Sequence, residues 1–316
     1  MNELLNLGSA ALKAAATDSR AKAYLLTNPL LYRVVWKAAQ RYVAGDTLAQ
    51  ALVKVRETQA GGMKSSLEYI GENAGSEKEA ALATREFQHI CGHIGAEGLH
   101  TTVSLDLSHI GLNQSAELCL NNLLAICRQA ERYGIEVNLS AEGTGQTDKI
   151  ISLYQEAAKL TGVLAVTLQA YLYRTRDDFD ELKNLPGRIR IVKGAYATAP
   201  GLSMARGEAL NDAYLDYIAE LLETQHKCSI ATHDYQLQQE AKNLVNFYRP
   251  LTTHYEFESL YGICQQQLLD LHEEGYSTKL YYVYGQEWYL YLCNRLAEYP
   301  MNLFRALADI CETETA

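Results

Sequence analysis

The chain has 316 residues, 48% of them apolar, and a formal net charge of −10, which allows one large barrel or two medium domains around a packed core. The clustered Lys/Arg that a phosphate backbone requires are missing, so a nucleic-acid partner is excluded. Seven scattered cysteines without a C-x-x-C pair suit reduced thiols, and with no signal pattern at the start and no apolar run near the ~20 residues of a membrane span, the expected place is the cytoplasm.

The first ~60 residues read as helical. "SRAKAYLLTNPLLYRVVWKAAQRYV" carries apolar residues at three-and-four spacing, broken at Asn28-Pro29. "AGDTLAQALVKVRETQAGG" opens on an Asp46/Thr47 cap and stops at Gly61-Gly62. Short β-prone runs then alternate with helical stretches: "KSSLEYIG" (64–71), "TTVSLDLS" (101–108), "IEVNLSA" (135–141), "VLAVTLQA" (163–170), "RIRIVKG" (188–194), "CSIATHD" (228–234), "HYEFES" (254–259) and "TKLYYVYG" (278–285). Eight such runs, spaced for crossover helices, predict an α/β fold of the (β/α)8 TIM-barrel type. A doubly wound open sheet normally shows a Gly-rich phosphate turn after its first strand, and "YIGENAGSEKEA" is not one. The expected division is an N-terminal helical segment over 1–62 and a barrel over 63–316.

Active groups of such a barrel sit at the carboxyl ends of the strands. Polar residues collect there: Glu68 and Glu72; Asp106 and Ser108; Ser140 and Glu142; Gln169; Arg190 and Lys193; Thr232, His233 and Asp234; Glu256 and Glu258; Tyr281 and Tyr284. Each alone is accounted for equally well by a capped turn or a solvated loop. Arg190 and Lys193 are harder to dismiss, because they bracket an otherwise apolar strand and need an anion if buried. "WYLYLCNRLAEYPMNL", Trp288 to Leu303, reads as the last amphipathic helix, with Tyr291, Asn294, Arg295 and Glu298 on one face. "HICGH" sets His89 and His93 one turn apart with no carboxylate motif following, so a packed or exposed pair is preferred to a metal site. No nucleophile elbow accompanies the Ser, His and Asp residues.

The stretches "RIVKGAY" (190–196), "QAYLYRT" (169–175), "ATHD" (231–234), "YEFESLYG" (255–262) and "YVYGQEWYLYLCNRLAE" (282–298), with "RYVAGDT" and "YIGE" before them, resemble the flavin-dependent proline dehydrogenases over nearly the whole chain. The resemblance implies a distorted (β/α)8 barrel holding FAD, with the final helix over its mouth. It also implies hydride transfer from the carbon beside a secondary amine to flavin N5, yielding an imine, with a quinone as electron acceptor. Residues at the positions of Gln169, Arg190, Lys193, Gly194, Ala195, Tyr196, Thr232, His233 and Glu298 contact the cofactor in that family. Tyr281 and Leu260 match positions that wall the substrate ring.

Departures cluster at the substrate end. Where the family presents two adjacent arginines to the substrate carboxylate, this chain has Asn294 and Arg295. A strand lysine is replaced by Asp106, a nearby aspartate by Ser140, and the glutamine of "E-F-Q" by Glu258. Arg190, Tyr281 and Arg295 remain the catalytic candidates; Asp106, Ser140, Leu260, Tyr281, Asn294 and Arg295 are the substrate-binding ones, and Glu258 is counted with the cofactor-binding set. Three readings stay open: a flavoenzyme for a small cyclic or secondary amine, a true L-proline dehydrogenase, or a flavin-binding homologue without turnover.

Overall fold

A computed structural model describes residues 2–71, 73–298 and 301–311, the side chains of residues 2–6 and 17 excepted. Four helices lead: α1 (Asn2–Thr17), α2 (Ser19–Thr27), α3 (Pro29–Ala39) and α4 (Leu48–Ala60). The break at Asn28 is a helix start, since its side chain accepts the Leu31 N–H and Pro29 occupies the first position, where a missing N–H costs nothing. Thr47 opens α4 with a reciprocal cap involving Gln50.

Strands and helices then alternate: β1 (Lys64–Tyr69), α5 (Glu77–Glu97), β2 (Thr101–Leu105), α6 (Ala116–Glu131), β3 (Val137–Leu139), α7 (Thr147–Ala157), β4 (Leu164–Gln169) and α8 (Thr175–Leu182). The second half repeats the pattern with β5 (Ile189–Val192), α9 (Glu208–Glu223), β6 (Cys228–Ala231), α10 (Tyr235–Tyr248), β7 (Tyr255–Leu260), α11 (Gln265–Glu273) and β8 (Thr278–Tyr284). All eight strands are parallel and close in chain order, β8 pairing with β1, so the expected barrel is the fold. Two helices end the described chain, α12 (Trp288–Glu298) and α13 (Asn302–Cys311). The single last helix expected over 288–303 is therefore corrected to two. The sequence puts Pro300 between them, a residue without the N–H that a helix interior needs; Tyr299, Pro300 and the strand-end candidate Glu72 lie outside the described residues.

Strand alternation divides the chemistry. Side chains such as Leu67, Leu105, Val166, Ile191, Ile230 and Phe257 point outward and form the main core with the surrounding helices. The inward set is polar and ionic, unlike the branched apolar layers usual in such barrels. Near the floor, Glu256 pairs with Lys279, accepts from Ser229 at 2.7 Å, and lies 3.3 Å from Lys64 and 3.6 Å from Arg188. Burial pushes its carboxyl up, but Lys279, Arg188 and Lys64 outweigh that and hold it well below the usual carboxylate range.

The leading helices serve two cores. α4 packs on β8 and β1 within the main core through Leu48, Ala51, Leu52 and Val55, taking the place in the outer ring that a helix after β8 would fill. α12 instead packs on α1 and α3 in a second core with Tyr42, Ile70, Tyr281 and Val283, over the carboxyl ends of β8 and β1. Among the described residues, no helix is long and apolar enough to cross a membrane.

Candidate active site

Arg190 is brought inward by the same alternation that sends Ile189 and Ile191 into the core. Its Nε donates to Glu258 on β7, and its guanidinium lies 5.0 Å from the Tyr281 ring centre on β8, across the barrel. Burial disfavours the charged guanidinium, but Glu258 more than offsets this and leaves its pKa raised. The anion that a buried Arg190 requires thus comes from the chain. Tyr281 donates to Glu68 on β1 and sits 3.5 Å from the Ser140 hydroxyl after β3. Burial, then the Glu68 charge, raises its phenol well above 10, so it is a proton-bearing donor.

Lys193, just past β5, pairs at 2.8 Å with Asp234, which also caps α10 through the Gln236 and Leu237 N–H groups. Gly194 has φ +104, and an added Cβ would fall 2.2 Å from the Tyr171 ring, so both backbone and space demand glycine there. Its carbonyl accepts from Arg206. Ala195 and Tyr196 follow in an exposed loop, anchored where the Tyr171 hydroxyl donates to the Tyr196 carbonyl at 3.0 Å. Gln169, buried at the end of β4, donates to the Glu142 carbonyl at 3.2 Å. The Thr232 hydroxyl accepts the Asp234 N–H at 3.2 Å, and His233 Nε2 accepts the Leu260 N–H at 2.9 Å. Burial, with the charges of Arg295 and Arg190, pulls the His233 pKa down to about 4, so the imidazole is neutral and already committed as an acceptor. This donor set at the ends of β4, β5 and β6 — amide, guanidinium, ammonium and hydroxyl — matches the phosphates and pyrimidine edge of a flavin nucleotide.

A cavity of about 450 Å³, with Glu68 in its lining, opens under α12 at the ends of β1, β2 and β8. Asp106, only 7% exposed, and Asn294 both line it. Arg295, one residue on, is not on its wall. It lies 5.2 Å from the Tyr291 ring centre and pairs with the exposed Glu298, while its Nε is buried without a hydrogen-bond partner. Leu260 is half-buried beside the second core.

One group important to this geometry carries little signal in the sequence. Glu68 joins the cavity to Tyr281, yet it reads as one strand-end carboxylate among several; its pairing in register with β8 is what puts it there. Tyr291 shares the helical face of Asn294 and lines the cavity with it, which the three-residue spacing did foreshadow. The His89 and His93 rings touch through nitrogens 3.0 Å apart on α5, and no cluster able to hold a metal ion occurs among the described residues.

A family model described as proline dehydrogenase matches residues 51–302. Proline dehydrogenase 1 of Bacillus subtilis subsp. natto is 33% identical over 272 residues, covering 86% of this chain and 90% of that protein. The proline dehydrogenase of Deinococcus radiodurans is 28% identical over 273 residues, covering 85% of this chain and 88% of that one. Among solved structures, proline utilization A from Bdellovibrio bacteriovorus, inactivated by N-propargylglycine, matches with a TM-score of 0.81 over 93% of this chain and 36% of its own; at 18% identity that likeness shows the barrel fold.

Proposed function

Because this chain belongs to the proline dehydrogenase family, we propose that it oxidises a small cyclic or secondary amine to an imine with FAD as its flavin. The observation that supports this reading is a chain of contacts. Glu68 lines the cavity and accepts from the Tyr281 hydroxyl, and the Arg190 guanidinium lies 5.0 Å from the centre of that same ring. One phenol thus links the cavity, through Glu68, to Arg190 of the donor set.

The chemistry a flavin supplies there is acceptance of hydride from the carbon beside the amine nitrogen, whose lone pair then closes the C=N bond. The protein's part is position and field. Arg190, tempered by Glu258, would favour negative charge on a bound pyrimidine edge. Gln169, Thr232 and the Lys193–Asp234 pair would hold polar edges and phosphates, and the loop of Gly194, Ala195 and Tyr196 would follow the cofactor's length. Glu298 would act at the far end, through Arg295. His233 has no lone pair to spare for proton removal, so the amine is best served when it arrives neutral. Seven free thiols suit a reducing cytoplasm. A quinone acceptor rests on the family resemblance alone.

The buried, partnerless Nε of Arg295 favours a second reading, L-proline itself, since a carboxylate would accept from it. The direct test is to titrate purified chain with FAD and with FMN, then add pyrrolidine without oxygen and follow the flavin band. FAD uptake and bleaching are expected. Uptake without bleaching by any cyclic amine would reduce the chain to a flavin-binding homologue, and no uptake would end the flavin reading.

A further inference from the structure

Glu258 is 2% exposed on β7 and accepts from the Arg190 Nε, so it is a carboxylate in direct contact with the guanidinium read above as facing the flavin. Burial works against the charge of Arg190, and Glu258 outweighs that ahead of Tyr281 and Glu68. Glu68 is also engaged by the Tyr281 hydroxyl. Glu258 is gripped from a second side as well. Lys279 Nζ lies 3.7 Å from its other carboxylate oxygen and pairs with Glu256, so alternating charges run from the barrel floor up to Arg190. In this connected set of ion pairs Lys64, Arg188, Lys279 and Arg190 face Glu136, Glu256 and Glu258, four cations against three carboxylates. Removing Glu258 would double the net positive charge that the network offers to a ligand.

A flavin that accepts hydride gains one negative charge, carried on the edge that Arg190 would face. A guanidinium there makes the oxidised flavin a stronger acceptor, and a carboxylate bound to that guanidinium takes part of the gain away. Because Arg190 and Lys279 both hold Glu258, its carboxylate stays in place whichever charge the ring carries. One unit charge several ångströms from the ring shifts such an equilibrium by about tenfold or more at the dielectric that suits buried groups.

From this we infer that Glu258 sets the redox poise of the bound flavin. By offsetting Arg190 it keeps the oxidised flavin a milder acceptor of hydride from the amine and makes the reduced flavin a stronger donor to whatever takes the electrons away. The inference rests on the FAD reading above and names the residue that regulates that flavin. Glu258 is a tuning residue that works through the charge of Arg190; it does not touch the reacting carbon. The balance of the reaction is unchanged, with one C–H hydrogen leaving as hydride and one N–H proton lost from the amine.

The test uses the full chain at saturating FAD and needs no amine. Sulfite adds reversibly to flavin N5 and leaves the same negative charge on the ring, so its affinity, read from bleaching of the flavin band, reports the field of the site. The midpoint potential, from anaerobic reduction against a reference dye, reports it independently. Glu258→Gln should bind sulfite about tenfold more tightly and have its potential raised by about 30 mV, the same tenfold expressed for a two-electron couple. Glu258→Asp, which keeps the charge, should stay closer to the native chain, and Glu256→Gln, at the floor, should move both readings less. Should Glu258→Gln not fold, Arg190→Gln Glu258→Gln compared with Arg190→Gln isolates the same carboxylate and should show the same tightening. Unchanged sulfite affinity and potential in a Glu258→Gln chain that retains FAD would overturn the inference and leave the flavin reading standing. Equal shifts from Glu256→Gln would overturn it too, because net charge and not contact with Arg190 would then be the cause. A native chain that takes up no FAD would end the flavin reading and this inference with it.

Discussion

Arg190 is a charge enclosed by protein and balanced by Glu258, so each side chain makes the other tolerable. Arg190→Met should destabilise the fold by ~3–5 kcal/mol, toward the lower end because Lys279 stands 3.7 Å from Glu258. Arg190→Met with Glu258→Met should recover most of that loss while leaving the flavin loosely held. Denaturant midpoints and the absorbance of retained flavin check both parts; a double variant no more stable than the single would mean the pair is not the cause. The two half-buried histidines set a pH response. His109 and His233 are pulled to about 4, against about 6.5 for an unfolded imidazole, so between these values the unfolded chain binds more protons. Stability is then full above pH 6.5 and declines as pH falls toward 4, by up to about 3 kcal/mol for each ring. His109→Phe keeps an aromatic ring against Tyr69, whose centre lies 5.2 Å away, and should flatten that decline in urea midpoints measured at pH 7 and pH 5.

α12 leaves the ring position that a helix after β8 would take, and packing explains its place. Trp288 is fully buried, with the Trp36 ring centre at 5.1 Å and that of Tyr32 at 5.4 Å, so the helix is held by α3 rather than by the outer face of the barrel. Ser9 donates to the Ala297 carbonyl at 2.7 Å and Tyr289 to the Ala15 carbonyl at 3.2 Å, which ties α1 along the same helix. Trp288→Ala should cost about 3–5 kcal/mol of local packing. Its effect should concentrate in α1, α3 and α12, appearing as faster amide exchange there with the strands still protected. Uniform deprotection of the barrel would show instead that the two cores unfold as one. Because Tyr291 and Asn294 ride on α12, the same variant should weaken amine binding more than it weakens flavin binding.

Across the whole molecule, the barrel interior is an ionic assembly whose floor centres on Glu256. Its folded carboxyl is held below the ordinary value of 4.5, so its stabilisation is complete above that pH and is lost as acid protonates it. Glu256→Gln should cost ~3–5 kcal/mol at pH 7 by leaving Lys279 and Arg188 under-compensated, and should make the remaining stability less sensitive to pH below 4.5. Acid titration of unfolding by circular dichroism reads both effects. The eight strands and their order were legible in local composition, since alternating β-branched runs between helical stretches favour one right-handed parallel closure. The residues that the family resemblance assigns to the cofactor were expected from motifs, and of these Gln169, Lys193 and Thr232 sit where a strand meets its loop. The partners of those residues were not legible: Glu258 meets Arg190 from two strands away, Asp234 meets Lys193 after an intervening helix, and Glu68 reaches Tyr281 only because the barrel closes β8 on β1. The sequence by itself determined the alternation of elements and the lack of positive charge at Asp106 and Asn294, because periodicity and charge are local properties. Only the tertiary structure decided that these two positions share a cavity with Glu68 while Arg295 stays outside it, because that depends on strand closure and on the seat of α12, distances that no local pattern encodes.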